Sequence, residues 1–450
     1  MSIVIVPFAL LLSIVLIKKI PYIGGNIQIG LVVAAVSALL MGGIYNPMNW
    51  VIAWVDGMDR IAWVLALSVF GSIYAETQVR IGTMDTVLNI FRASFGHKPR
   101  GLVLCIVLSL VLAGSLLGDS VAATTVIGVL VIKILAEMKM SGEQIAATIV
   151  MGGAMGSLMP PVTQSIFLAS SLVGVDPDVA SKIGYLTIGL GIIICTAYVV
   201  KAFVKVDSLP EDLIPKEKAG EIFKKNWTVL IPLLILVGLI LLRLALKIDL
   251  VTMVFGPILA MLKGIKIIKG LTNLIVASII IVTIISFFYP QTRKDVGGTL
   301  LTGLKNVNKS IWVMCAAGFM LGAFYSAGQI EAVKTFAMAL NDHVLKFGGS
   351  VALNAIGMLT GSQSTAQNVI FSFFGPALVA KGLDPVHVAI AGSHIASAGQ
   401  GMPPADLVTF VVCGLVGGVL NIKVDPVKTM IYNLPMCIYL FIVGFIFLYI

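Results

Sequence analysis

Apolar residues fall in blocks near residues 3–20, 27–45, 61–79, 101–135, 145–174, 183–205, 227–246, 249–263, 270–289, 311–327, 350–380, 386–421 and 430–449. A helix that crosses a bilayer takes about 20 mostly apolar residues, so the pattern predicts a chain that crosses repeatedly. The longest blocks exceed one straight span or carry Gly and polar residues at their centre. Block 249–263 is short, about 22 Å as a helix at 1.5 Å per residue, and whether it crosses is open, which leaves 10 to 12 crossings. The one long polar stretch separates residues 1–205 from 227–450, with a linker at 206–226 that includes Glu211 and Asp212.

Composition agrees. Of 450 residues 58% are hydrophobic and 11% charged, where a soluble chain carries about 25% charge. The fold class is therefore an all-α polytopic membrane protein, with the lipid bilayer as its surroundings. The excess of 30 Lys and Arg over 21 Asp and Glu has no aromatic-studded basic patch beside it, so no nucleic-acid partner is expected. It fits the positive-inside bias of short loops. Lys18, Lys19, Arg80, Arg92, Lys98, Arg100, Lys139, Lys201 and Lys205 can all be cytoplasmic if the amino terminus is outside, with Asp176 and Asp178 then facing out. The run from Ile3 lacks a basic n-region and a cleavage site and is expected to stay as a span. The five cysteines sit singly, without metal-ligand spacing.

A shift of 243 residues superimposes the halves at their least ordinary places: Gly118 on Gly361, Gly156 on Gly399, and Met159-Pro160-Pro161 on Met402-Pro403-Pro404. Further upstream a shift of 251 pairs Gly71, Tyr74 and Gln78 with Gly322, Tyr325 and Gln329. Five crossings per half would make the repeats inverted, an architecture of many secondary transporters.

Two polar interruptions carry the candidate chemistry: Ala113-Gly-Ser-Leu-Leu-Gly-Asp-Ser-Val-Ala-Ala-Thr-Thr125 and Thr360-Gly-Ser-Gln-Ser-Thr-Ala-Gln-Asn368. Such groups at membrane depth need a cavity or partners. Both are read as tips of re-entrant hairpins, at about 101–135 and 350–380, and the Pro-Pro pairs as breaks in the helices near 145–174 and 386–421. At a tip, a half-helix N-terminus aims N–H groups at an anion while exposed carbonyls can hold Na⁺. The alternative is that small residues merely let helices pack closely. Ser120, Thr124, Thr125, Ser364, Thr365 and Asn368 are the candidate solute-binding residues, although the hydroxyls can serve either role. Prolines cannot continue a helix and leave carbonyls of the preceding turn free. Gly118, Gly156, Pro160, Thr163, Gly361, Ser362, Gly399 and Pro403 are accordingly candidate ion-site positions. Asp119, a carboxylate at a tip, is expected to hold a cation or a proton, and Asp406 is a second such acid. His387 and His394 are read as packed histidines, with a proton role as the alternative. Segments Asn46–Arg60 and Asp295–Lys309 are amphipathic and predict interfacial helices, either anchors or connecting arms. No HExxH and no complete P-loop occurs, so neither an intramembrane zincin nor an ATPase is indicated, and the chain is expected not to be an enzyme.

The runs Gly118-Asp-Ser-Val-Ala-Ala-Thr and Met155-Gly-Ser-Leu-Met-Pro-Pro161 resemble the large membrane subunit of TRAP (tripartite ATP-independent periplasmic) transporters. So do Lys381-Gly-Leu-Asp-Pro-Val-His-Val and Gln400-Gly-Met-Pro-Pro404. The resemblance covers roughly residues 60–205 and 310–450, and departs from the family at Asp119, where the family usually carries Ser. It implies Na⁺-driven import of a small organic anion, a C4-dicarboxylate or related carboxylate, by an elevator motion in a prokaryotic cytoplasmic (inner) membrane. It also implies a small membrane subunit and an extracytoplasmic solute-binding protein as partners. Each hairpin with its Pro-Pro break would then form one Na⁺ site. No cofactor is implied beyond Na⁺ as coupling ion, with H⁺ the alternative. Stand-alone gluconate, lactate or citrate carriers share these features, and a channel is the reading from another class.

Overall fold

The computed structural model describes residues 2–17, 19–210, 214, 216–246 and 248–450. Lys18 and the linker residues Glu211 and Asp212 lie outside the described residues. All regular elements among the described residues are helical. Five are each long and apolar enough to cross a bilayer: Pro99–Leu117, Ser120–Glu137, Pro177–Ala202, Ala219–Ile240 and Pro426–Ile446. Two bent pairs raise that number to seven, Pro47–Arg60 with Ala62–Ile81 at 63° and Val296–Asn308 with Ile311–Ser326 at 50°. Further apolar blocks form shorter helices that fall below that length, among them Ile27–Met41 and Leu274–Ser286. On Pro177–Ala202 the exposed Leu186, Leu190 and Ile193 form one stripe, the apolar outer face a helix presents to lipid. Leu250–Lys263 has 14 residues, and only Val251 is buried on it.

Helix starts follow side chains that cap free N–H groups. Asn46 Oδ1 accepts from the Met48 N–H at 2.9 Å, and Ser141 with Gln144 forms a complete capping box. The two amphipathic segments are helices that bend into the helices following them. Pro47–Arg60 exposes Met48, Val51, Ile52 and Trp54 and turns Asp56 and Asp59 to Lys266 and Lys269, at 2.5 and 2.6 Å. It lies backbone to backbone on Val296–Ser326: a Cβ on Gly57 would sit 1.8 Å from the Gly318 carbonyl oxygen.

Each polar interruption is a turn between two helices. Pro99–Leu117 stops at Gly118, whose φ of +65° is left-handed, and Ser120–Glu137 returns against it. Asp342–Thr360 stops at Gly361, φ +63°. Its return arm comes in three pieces: Gln363–Ala366, a π-helical turn Gln367–Phe371, and Ser372–Ala380. The Pro-Pro pairs separate Gly142–Leu158 from Gln164–Val173 and Pro385–Gly401 from Leu407–Leu420. Both Pro-Pro bonds are cis.

Residues equated by the 243-residue shift make matching contacts. Gly114 meets the backbone of Gly156, as Gly357 meets that of Gly399, and Gly118 lies on Val162 as Gly361 lies on Ala405. Each hairpin is thus seated on the broken helix of its own half. Lys381 closes the base of the second hairpin, donating to the Leu340 carbonyl at 2.6 Å and to the Asp342 carboxylate at 2.9 Å.

That hydrogen bond and the lysine charge hold the Asp342 carboxyl below its ordinary value. A carboxyl lowered in the folded state contributes stability above its unfolded pKa of about 3.9, and the contribution is lost as pH falls through the folded value. Asp342→Asn is therefore expected to lower the melting temperature slightly at pH 7, the carboxylate being exposed, and to match the parent protein in strong acid. Thermal melts of both proteins across that range check this.

Candidate functional site

The four segment ends described above share one piece of local chemistry. At the first tip Asp119 caps the helix from Ser120, its Oδ1 accepting from the Ala122 N–H at 2.7 Å. At the second tip Ser362 does the same, its Oγ accepting from the Thr365 N–H at 3.2 Å. After the first break Thr163 Oγ1 accepts from the Ile166 N–H at 3.4 Å. After the second, Asp406 accepts from the Val408 and Thr409 N–H groups at 3.0 and 3.2 Å, and from the Thr409 hydroxyl. The same shift of 243 pairs Asp119 with Ser362 and Thr163 with Asp406. Each half therefore has one acid and one hydroxyl at these two caps, in exchanged positions.

The two tips meet. A cavity of about 170 Å³ is walled by Gly118, Asp119 and Ser120 from the first and by Gly361, Ser362 and Ser364 from the second. Gln164 and Gln400, one from each broken helix, also face it. Ser362 and Ser364 also border a larger space of about 860 Å³, which continues past Thr365 and Asn368. That volume lies within the roughly 300–1,000 Å³ of small-molecule sites. Helix N-termini carry free N–H groups and a positive partial charge, so this space suits an anion, while the Asp119 carboxylate has lone pairs left for a cation.

Other candidates point elsewhere. Thr124 is fully buried against Gly153, and its hydroxyl donates to the Ser120 carbonyl at 2.8 Å. Thr125 lies on an exposed face and donates to the Val121 carbonyl at 2.7 Å. Gly156 and Gly399 are points of backbone contact between helices. Pro160 faces a different small cavity beside Tyr185 and Arg243, and Pro403 is half-buried in the second break. Asp406, 1% exposed, lines a void of only about 10 Å³ between the two broken helices. His394 is buried, with Nε2 2.9 Å from the Thr187 hydroxyl and Nδ1 2.9 Å from the Ile390 carbonyl, whereas His387 Nδ1 lies 2.9 Å from the Ile450 carbonyl.

A buried polar cluster around the second tip was not visible in the sequence. Gln363 accepts from the Ser397 hydroxyl at 2.5 Å, and its backbone N–H donates to Gln400 Oε1 at 2.9 Å. Gln367 donates to the Ser165 hydroxyl at 2.8 Å and to its carbonyl at 3.1 Å. The only sequence signals were the density of amides in Gly361–Asn368 and the i, i+4 spacing of Ser393 and Ser397.

Among solved structures the chain is similar to that of the Alcanivorax borkumensis YdaH transporter, described as having an unusual topology. The TM-score is 0.60 at 19% identity, over 88% of this chain and 86% of that one. At that identity the likeness concerns the fold alone. No curated protein matches the chain. The family model of the tripartite ATP-independent periplasmic transporter, DctM component, matches residues 14–450. With nearly its whole length matched, the chain belongs to the DctM family of large TRAP permease subunits, multi-pass proteins of the bacterial inner membrane that act as secondary transporters of small anions.

Proposed function

We propose that this chain imports a small carboxylate, a C4-dicarboxylate or a related organic acid, in symport with Na⁺. The observation that carries this reading is the meeting of two capped hairpin tips in one polar cavity. The solute is held by the second tip, where Ser362, Ser364, Thr365 and Asn368 offer hydroxyl and amide groups. Asp119 at its tip and Asp406 at its break each compensate one cation, with Thr163 and Ser362 as the hydroxyl members of the two sites. Residues 1–205 and 227–450 act as inverted repeats whose hairpins and broken helices move together against the remaining helices in an elevator motion. The amphipathic helix Pro47–Arg60, seated on Val296–Ser326, belongs to the stationary part. A small membrane subunit and an extracytoplasmic solute-binding protein complete the system, and no catalytic step is involved.

Uptake into liposomes holding the purified chain, with and without its partner subunits, tests this with labelled malate, gluconate, lactate and citrate. Saturable uptake that follows an inward Na⁺ gradient is expected for at least one of them. Flux that rises linearly with concentration and ignores every ion gradient would mean a channel instead.

A further inference from the structure

The two hairpins are seated alike through glycine contacts, but their tips are not fastened alike. At the second tip, Gln363 is bound from the broken helix Pro385–Gly401 by both Ser397 and Gln400. One turn later Gln367 reaches Ser165, at the start of the other half's helix Gln164–Val173. Ser165 is itself tied to Ser393 and Ser397, with hydroxyl–hydroxyl distances of 3.1 and 3.2 Å. Ser165, Gln367, Ser393 and Ser397 are all buried, where a hydrogen bond once lost leaves an unsatisfied group.

Applying the 243-residue shift to these six positions gives Ser120, Thr124, Val408, Val150, Ala154 and Ser157. Three cannot bond through a side chain. Thr124 bonds back to the Ser120 carbonyl, and Ser157 to the Ala154 carbonyl at 2.9 Å. The first hairpin keeps one cross-bond to its break, from the Val162 N–H to the Ser115 carbonyl at 3.1 Å, and that lies before the tip. Among the described residues, the side-chain bonds recorded at Asp119–Thr125 stay within the tip's own helix.

We propose that Gln363, Gln367 and Gln400, with Ser165, Ser393 and Ser397, form a clasp that fixes the second tip, and that the unclasped first tip is the one that opens. They are positioning residues: they hold Ser362 and Ser364 in register on the cavity wall. Gln367 bonds through its amide nitrogen alone, its Oε1 being buried without a partner. The hold on the tip thus comes from that nitrogen and from the two bonds of Gln363, in a low-dielectric setting where such bonds are strong. Only the functional meaning of the clasp rests on the transporter reading.

The test uses the full-length protein in liposomes and a membrane-permeant maleimide. Val121 and Ser364 are equated by the 243-residue shift, both line the cavity and both are half-buried, so static exposure predicts similar labelling of Val121→Cys and Ser364→Cys. The native cysteines, four buried and Cys315 partly so, set the background, measured on the parent protein. The clasp predicts labelling at 121 at least tenfold faster than at 364. It also predicts that Gln400→Leu raises the rate at 364 about tenfold, while Ser157→Ala, its counterpart, changes neither rate. If Gln400→Leu does not fold, Gln363→Met removes the acceptor for Ser397 and is expected to act in the same direction. Equal rates at the two tips, or a rate at 364 indifferent to these variants, would overturn the proposal. The rates need neither solute nor gradient, so failed uptake with unequal rates would count against the transporter reading and leave the clasp standing.

Discussion

Alanine at Gly361 is expected to abolish uptake and to destabilise the protein far more than alanine at Gly118. Both glycines have left-handed backbone, φ +63° and +65°, which costs a residue with a Cβ roughly 1 kcal/mol. The difference lies in what the new methyl group meets. At Gly361 it would sit 1.8 Å from the Ala405 carbonyl oxygen and 2.8 Å from its carbon, backbone that belongs to the second break. No rotamer change relieves that contact, so hairpin and break must part, at a cost of about 1–3 kcal/mol or more as for overpacked cores. At Gly118 the nearest atoms are a Val162 methyl at 3.0 Å and its carbonyl oxygen at 3.2 Å, and the methyl can yield. Gly174→Ala isolates the backbone cost, since φ is +73° there and nothing lies within 4 Å. Thermal melts in detergent and initial uptake rates of the three variants give the ranking. A Gly361→Ala protein that melts no lower than Gly174→Ala would refute the close approach.

For Asp119→Asn the expected result is loss of Na⁺ dependence, or a rise of at least about tenfold in the Na⁺ concentration for half-maximal uptake, equivalent to about 1.4 kcal/mol. Asparagine is as good a helix cap as aspartate, and its carbonyl oxygen can still accept from the Ala122 N–H. The substitution therefore removes the charge from the cavity wall while leaving the helix start in place. Asp406→Asn is the companion, but that carboxylate also accepts from Thr409 through both its N–H and its hydroxyl, so a loss of stability is expected with it. Uptake by Asp119→Asn with unchanged Na⁺ dependence would remove Asp119 from the coupling mechanism.

The tips and breaks were legible because they interrupt long apolar blocks and recur at one spacing. Glycine and Pro-Pro are local signals, and the matching contacts of Gly114 with Gly156 and Gly357 with Gly399 carry that spacing into the packing. Side-chain direction was not legible. Thr124 and Thr125 resemble good ligands on paper, yet both hydroxyls bond to carbonyls one turn back, as Ser and Thr in helices often do. The clasp is not legible for a different reason. Gln367 and Ser165 are 202 residues apart, and neither half alone contains the pair. The division of several apolar blocks into shorter helices by glycine, proline and capping residues is likewise not legible from apolar length alone.

The exchanged acids also differ in what can reach them. Asp119 fronts a chamber of about 170 Å³ that both tips wall. Asp406 has beside it only about 10 Å³, close to the minimum for a single water. Two acids at diagonal corners of one repeated spacing thus differ in room: one faces a chamber, the other a space of about a single water.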